Sequence, residues 1–197
     1  MCDVCKCIKS LNQVTRPLMG NQILTNRPFE RIYCDFLGPY PLTKAKNSTI
    51  FICLDHMTKF LFLKPLKTAT SANAILFFQT ELFPMFGVPR YVHSDNGKQF
   101  ISKEMSDFFK LFEIKHITTG FYAPHIIRKI EKIRCFLQEH KEHGDWDKYI
   151  PQILSILRSD YHSSTKCSPY YAMFGQNMVL HGSTYTYSEQ RRQVGKN

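Results

Sequence analysis

The stretch Phe29-Glu-Arg-Ile-Tyr-Cys-Asp-Phe-Leu-Gly-Pro39 carries the first strand signal of the chain. Its aromatic and β-branched residues favour an extended backbone, and Gly38-Pro39 is a turn signal that ends it. The pattern predicts a strand over residues 29–35, with Asp35 at its end. Acidic residues at strand ends lie where loops gather, and α/β sheets place their sites there.

Two more short strands follow directly. Residues 49–54 and 59–64 are rich in β-branched and aromatic residues, and 55–58 has the length of a hairpin turn. Residues 50–54 are continuously apolar, which is typical of a strand that is covered on both faces. The first part of the sheet is therefore predicted to be antiparallel.

The rest of the chain alternates between helical and extended patterns. Apolar residues recur at helical spacing over 71–86, and Gly87 and Pro89 close that helix. Tyr91-Val-His93 is a short strand that runs into the turn Ser94-Asp-Asn-Gly97. The other predicted elements are a helix over 103–112, a strand over 114–118, and helices over 126–140 and 147–162. This order predicts an α/β fold with a mixed five-stranded sheet flanked by helices and an antiparallel meander at one side.

Composition indicates a packed domain with a polyanionic partner. Of the 197 residues, 43% are hydrophobic, which predicts a globular core. The net charge of +10 favours nucleic acid, although a basic surface kept for solubility is the plainer alternative. No apolar run approaches the roughly 18 residues of a membrane helix, and the N-terminus has no apolar signal region. We expect an intracellular protein, nuclear or cytoplasmic, that is neither secreted nor bound to membrane.

Two acids are candidates for chemistry. Asp35 and Asp95 follow predicted strands, and carboxylates on neighbouring strands repel each other unless a divalent cation lies between them. Mg²⁺ suits them because it takes few protein carboxylates and keeps positions for water and phosphate. The alternative is that both are ordinary turn and cap residues. His93 is either a general base or a satisfied strand-end histidine, and the turn setting of Asp55 favours a structural role.

Several motifs together resemble a known family. They are Asp35-Phe-Leu-Gly-Pro39, Leu54-Asp-His-Met-Thr-Lys59, Phe86-Gly-Val-Pro89, His93-Ser-Asp-Asn-Gly-Lys-Gln-Phe100, Tyr122-Ala-Pro124, Trp146-Asp147, Ser168-Pro169-Tyr170 and Phe174-Gly175. In this order they resemble the integrase core of gypsy-type LTR retrotransposons and of retroviruses. The resemblance covers about residues 27–183 and implies an RNase H-like fold.

The resemblance implies three acids that hold two Mg²⁺ or Mn²⁺ ions. Asp35 and Asp95 match the first two, and Glu131 has the family's spacing of 35 residues after the second. The Asn, the small residue and the Glu-Arg pair that the family shows around its third acid are missing here. The segment from Glu131 to Trp146 is also shorter than in the family, by roughly two helical turns. Either Glu131 is the third catalytic and metal-binding acid, or a deletion removed that acid, which would explain the loss of every flanking motif residue.

The function that the resemblance implies is DNA integration. Water trims the 3′ end of the element's DNA, and the new 3′-hydroxyl then attacks a phosphodiester of target DNA. Expected partners are both DNAs and a second copy in a homodimer, with no small-molecule substrate. The alternatives are a catalytically impaired or domesticated remnant that binds nucleic acid, and a structural dimer scaffold. Candidate phosphate contacts, each of which is otherwise part of a solvated surface, are Lys98, Lys103, Arg128, Lys129 and Lys132.

Both ends of the chain are predicted to lie outside this core. Residues 1–26 resemble the remnant of a zinc-binding module followed by a linker, since Cys2-x-x-Cys5 matches only the cysteine half of a His-His-Cys-Cys site. A structural zinc site needs four ligands, so we expect none here. Residues 184–197 are polar and end in basic residues, which predicts a frayed basic tail.

Overall fold

A five-stranded sheet forms the centre of the computed structural model, which describes residues 25–118, 131, 133–135, 137 and 144–181. The sheet order is β3-β2-β1-β4-β5. β2 is antiparallel to β1 and β3, whereas β4 is parallel to β1 and β5. The predicted mixed sheet with an antiparallel meander is therefore confirmed. The strands are β1 (Arg31–Leu37), β2 (Thr49–Asp55), β3 (Leu61–Leu66), β4 (Tyr91–Ser94) and β5 (Lys115–Thr118).

The bounds of two strands differ from the prediction. β1 starts at Arg31 rather than Phe29, because Phe29 has a left-handed backbone (φ 58°) and its N–H donates to Asp55 Oδ1 at 2.8 Å. Lys59 is also left-handed (φ 62°), which delays β3 to Leu61. β1 continues beyond Asp35 to Leu37. The prediction that Asp35 ends its strand is therefore wrong, since Asp35 still pairs with Ile52 of β2.

The helical run over 71–86 is confirmed in extent but not in regularity. It consists of α1 (Ser71–Phe77), a π-helical segment (Phe78–Leu82) and α2 (Phe83–Phe86). The Thr70 hydroxyl caps its start by accepting from the Asn73 N–H, and Gly87, with φ 78°, ends it. A short helix that was not predicted, α3 (Lys98–Ile101), precedes α4 (Lys103–Leu111).

The predicted helix over 147–162 is shorter than expected. A 3₁₀ turn (Trp146–Tyr149) leads into α5 (Ile150–Ser159). His162 lies beyond that helix and forms an isolated antiparallel bridge with Cys167, and α6 (Pro169–Phe174) follows. Of the predicted helix 126–140, only residues 131, 133–135 and 137 are described, and all five are helical. No helix in the described part of the chain is long and apolar enough to cross a membrane.

The two faces of the sheet carry separate apolar cores. β2 is buried along its whole length, as its apolar sequence predicted. Cys34 belongs to the core that packs with α1 and α4, whereas Leu37 belongs to the core formed with Ile133, Leu137 and α5. Because side chains alternate along a strand, Asp35 lies on the same face as Leu37. The first candidate acid therefore faces the core that includes the helical residues 133 and 137.

Candidate active site

The structure brings Asp35 and Asp95 together. The parallel register of β1 and β4 pairs Tyr33 with His93. That pairing ends at His93, and Asp95 lies one residue beyond the end of β4. The charge of Asp95 is one of the influences that raise the pKa of Asp35, so the two carboxylates are close enough to interact. The two acids that the sequence selected therefore act on each other in the folded chain.

Backbone N–H groups hold both carboxylates. Asp35 Oδ1 accepts from the Phe36 N–H at 2.7 Å, and Asp95 Oδ1 accepts from the Gly97 N–H at 2.9 Å. A Cβ at Gly97 would lie 2.8 Å from Asp95 Oδ1 and 2.5 Å from the Gln99 amide nitrogen, so both side-chain ends would have to move. Glycine at this position therefore lets the Asp95 carboxylate keep its place.

The electrostatics of the pair favour a cation. Burial raises the pKa of Asp35 to about 6, and the nearby Asp95 acts in the same direction. The Phe36 N–H and the Arg134 guanidinium oppose this rise without cancelling it. Two converging carboxylates, one of them largely desolvated, are a donor set that suits a hard divalent cation such as Mg²⁺. The residues present therefore fit a metal held between Asp35 and Asp95.

Glu131 is not grouped with these two acids. It lies in a helical stretch and is exposed. Among the described residues, no three His, Cys, Asp or Glu side chains are placed to hold one metal ion. The role of Glu131 as third acid stays a prediction. Three positions further along, Arg134 acts on the two-aspartate site, since its guanidinium counteracts the rise in pKa that burial causes at both Asp35 and Tyr40.

The structure gives Asp55 and His93, the other two candidates from the sequence, different surroundings. Asp55 is fully buried and accepts from the Phe29 N–H and from both the N–H and the hydroxyl of Thr58, so it has the structural role that its turn predicted. His93 is not the satisfied strand-end histidine that the sequence favoured. Its Nε2 is buried and has no hydrogen-bond partner in the described structure, and burial lowers its pKa to about 4.

Of the five basic residues that are candidate phosphate contacts, two lie in the described part of the chain. Lys98 and Lys103 are exposed at the starts of α3 and α4, on the segment that follows Asp95. Arg128, Lys129 and Lys132 lie outside the described residues, as do residues 1–24 of the predicted N-terminal segment 1–26 and the whole predicted tail 184–197.

Sequence reasoning missed Arg31 and Arg134. Arg31 is buried on the strand that carries Asp35 and shares its face. The signal was present in the sequence, because Arg31, Tyr33 and Asp35 are spaced by two and must face the same side of a strand. Arg134 carried no such signal, since its proximity to Asp35 depends on how the helix packs over the sheet.

A family model described as the integrase core domain matches residues 25–124, which include Asp35 and Asp95 and stop before Glu131. The chain belongs to the integrase core domain family. It is 26% identical over 181 residues to the Pro-Pol polyprotein of Feline foamy virus, covering 88% of the chain and 15% of that protein. It is 25% identical over 185 residues to Gypsy retrotransposon integrase-like protein 1 of Macaca fascicularis, covering 91% of the chain and 35% of that protein. The chain thus spans about a third or less of the length of these two relatives.

Solved structures agree on the fold of this integrase core. The catalytic core domain of HTLV-2 integrase, solved in complex with magnesium, superposes with a TM-score of 0.59 at 19% identity. The match covers 74% of this chain and 96% of the HTLV-2 chain. The RNase H-like architecture implied by the sequence motifs is therefore confirmed.

Proposed function

We propose that this chain is the catalytic core of a DNA integrase, a metal-dependent polynucleotidyl transferase that trims 3′ ends of element DNA and joins them to target DNA. The observation that carries the proposal is the interaction between the carboxylates of Asp35, on β1, and Asp95, directly after the neighbouring parallel strand β4, in an integrase core domain. The magnesium complex of the HTLV-2 core supports Mg²⁺ as the cation, with Mn²⁺ as its substitute.

The residues have distinct tasks in this proposal. Asp35 and Asp95 would hold the ion, which supplies charge stabilisation for in-line phosphoryl transfer. Asp35 gives up its proton when a cation is bound, because the cation offsets the burial that raises its pKa to about 6. The Gly97 N–H keeps Asp95 in place. Lys98 and Lys103 bind backbone phosphates, and we assign Arg128, Lys129 and Lys132 the same role.

Glu131 is the third acid in the active form of this proposal. The competing form is a catalytically impaired or domesticated integrase that binds nucleic acid without strand transfer. Two observations favour that form: no third acid joins Asp35 and Asp95 within the described residues, and Arg134 influences the site instead. Both forms act on DNA within the cell, in the nucleus or cytoplasm, and both allow a homodimer.

An assay of the reverse of the joining reaction separates the two forms. The substrate is a branched DNA that mimics the joined product, incubated with the full chain and Mg²⁺ or Mn²⁺. The active form predicts product that falls at least about 100-fold in Asp35→Asn, Asp95→Asn and Glu131→Gln. If Glu131→Gln retains full activity while the two aspartate variants lose it, Glu131 is not the third acid.

The result that would reject catalysis is equal signal from the natural chain and Asp95→Asn. DNA binding is then measured with the same proteins by fluorescence anisotropy over a range of salt concentrations. Binding that weakens steeply with salt supports the impaired form, because phosphate contacts release counterions. A DNA affinity that does not change with salt concentration would contradict both forms.

A further inference from the structure

A second polar cluster lies on the sheet face that carries Asp35. In the parallel pairing of β1 with β4, Arg31 lies opposite Tyr91, and Tyr33 lies opposite His93. Arg31 and Tyr33 precede Asp35 by four and two residues, so all three side chains leave the same face. At about 3.3 Å per residue, Arg31 is roughly 13 Å from Asp35 along the strand. The cluster is therefore separate from the two-aspartate site.

Arg31 is a buried cation with unused donors. Its exposed fraction is 6%, and its Nε and Nη2 have no hydrogen-bond partner among the described residues. These two nitrogens form one edge of the guanidinium, whose parallel N–H bonds match two oxygens of an oxoanion. The guanidinium also lies 4.9 Å from the centroid of the Tyr91 ring, which helps to hold it in place.

Arg158 provides a comparison within the same chain. It is partly buried, and its Nε and Nη2 both donate to the Leu61 carbonyl, at 2.9 and 2.8 Å. Its guanidinium lies 4.3 Å from the centroid of the Phe60 ring. At Arg158 the fold thus provides an acceptor for the same two nitrogens. At Arg31 these two nitrogens have no hydrogen-bond partner among the described residues.

His93 adds a further unused group next to Arg31. Its Nε2 is buried without a partner in the described structure, and its ring centroid lies 4.8 Å from that of Tyr33. The Tyr33 hydroxyl shares a hydrogen bond with His56 Nδ1 at 3.1 Å, which holds the Tyr33 ring against His93. The groups whose charge acts on His93 are Arg31, His56 and His116, and all three are basic. An anion would complete this cluster.

We propose that Arg31 and His93 form a binding site for a phosphate group. The Nε–Nη2 edge of Arg31 holds two phosphate oxygens, and the Nε2 of the His93 ring donates to a third. The near-complete burial of Arg31 limits the ligand to a free phosphate ion or the terminal phosphate of a nucleic-acid strand. The site does not depend on the proposed integrase activity, because it uses neither aspartate.

The first test is a titration of the full chain with inorganic phosphate, followed by thermal unfolding and calorimetry at constant ionic strength in chloride. The natural chain should show saturable binding and a rise in Tm. Arg31→Met should weaken binding by at least about tenfold, and His93→Gln by a smaller factor, because each removes donors to the same ion. Arg90→Gln is the matched control, since Arg90 lies 5.2 Å from the same Tyr91 ring but is mostly exposed and pairs with Glu30.

The second measurement is stability without phosphate. Arg31→Met should raise Tm in chloride buffer, because it replaces a buried cation, whose Nε and Nη2 have no hydrogen-bond partner among the described residues, by an apolar side chain of similar length. Arg158→Met should lower Tm, because it removes two hydrogen bonds that are made. If Arg31→Met unfolds the protein or lowers Tm as Arg158→Met does, Arg31 is a structural residue and the proposal is overturned.

Two further outcomes are decisive. The proposal is overturned if phosphate shows no saturable binding in the presence of chloride. It is also overturned if phosphate raises Tm equally in the natural chain, Arg31→Met and Arg90→Gln. Short single-stranded oligonucleotides with and without a 5′-phosphate identify its natural ligand. Competition by the phosphorylated oligonucleotide alone assigns the site to strand ends, and competition by neither assigns it to the free ion.

Discussion

At the scale of single residues, the state of Asp35 depends on what surrounds it. Burial raises its pKa to about 6 from an ordinary value of 3.8, and the Asp95 charge adds to this effect. A carboxyl with a raised pKa stabilises the fold only while it is protonated. Its contribution is present at acid pH and is lost as the pH rises through 6.

The first prediction concerns this pH dependence. Relative to Asp35→Asn, the metal-free natural chain should lose stability as the pH rises from below 3.8 to above about 6. The difference of about 2 pH units between the two pKa values corresponds to at most about 3 kcal/mol. Urea unfolding of both proteins at several pH values measures it. The lowered pKa of His93 changes stability with pH in the opposite direction. Both proteins contain His93, so its effect cancels in the difference between them. A difference between them that does not change with pH contradicts the assignment.

Gly97 provides the second prediction. In Gly97→Ala the new Cβ conflicts with Asp95 Oδ1 and with the Gln99 amide, so the Asp95 carboxylate must move. We expect Mn²⁺ affinity, measured by calorimetry, to fall by about tenfold, as is usual when the support of a metal ligand is lost. Gln99→Ala is the control and should bind Mn²⁺ normally. Unchanged affinity in Gly97→Ala would show that Asp95 does not hold the ion.

At the scale of elements, the 3₁₀ turn at Trp146–Tyr149 ties the second apolar core to the loop between β1 and β2. Trp146 is 1% exposed, and its indole N–H donates to the Pro41 carbonyl at 2.7 Å. The Asp147 carboxylate accepts from the Thr43 hydroxyl and the Asn47 amide. These contacts position the loop that follows Asp35, which is a physical reason for the Trp146-Asp147 motif.

The third prediction tests this connection. Trp146→Phe should lower the free energy of unfolding by about 2–3 kcal/mol, because it leaves the Pro41 carbonyl unpaired and creates a small cavity. Tyr161→Phe, at a residue that is 68% exposed, is the control and should change it by less than about 0.5 kcal/mol. Urea denaturation measures both. A loss below 1 kcal/mol in Trp146→Phe would mean that the turn does not brace the loop.

At the scale of the whole molecule, the proposed DNA binding and the proposed reaction depend on different residues. The net charge of +10 would support binding, and the two carboxylates would support the reaction. Phosphate contacts are spread over basic side chains, whereas catalysis needs a few precisely placed acids. Under the proposed function, loss of one acid is therefore expected to remove the reaction and to leave DNA affinity in place.

The fourth prediction follows from that separation. Lys98→Ala combined with Lys103→Ala should reduce the slope of log affinity against log salt by about 2, for every DNA sequence tested. Asp95→Asn should leave that slope unchanged. Lys110→Ala is the control, because Lys110 lies at the other end of α4 and its ammonium is 4.0 Å from the Asp107 carboxylate. Equal slopes in the double variant and the natural chain would remove these lysines from the interface.

Local patterns were sufficient to predict the mixed sheet with its antiparallel meander and the helical run over 71–86, because backbone propensity and side-chain periodicity act over a few residues. They were not sufficient for the start of β1, since the Asp55 carboxylate that holds Phe29 comes from the far end of β2. The π-helical segment and α3 were missed for a similar reason, because neither has a periodicity of its own.

The sequence by itself determined the fold class, the family and the identity of two candidate ligands, because these reside in motifs that are contiguous along the chain. Only the tertiary structure decided that Asp35 lies within its strand, that Arg134 acts on it, and that buried nitrogens of Arg31 and His93 have no partner among the described residues. Burial and electrostatic interaction depend on which distant segments pack together. No window of sequence contains that information.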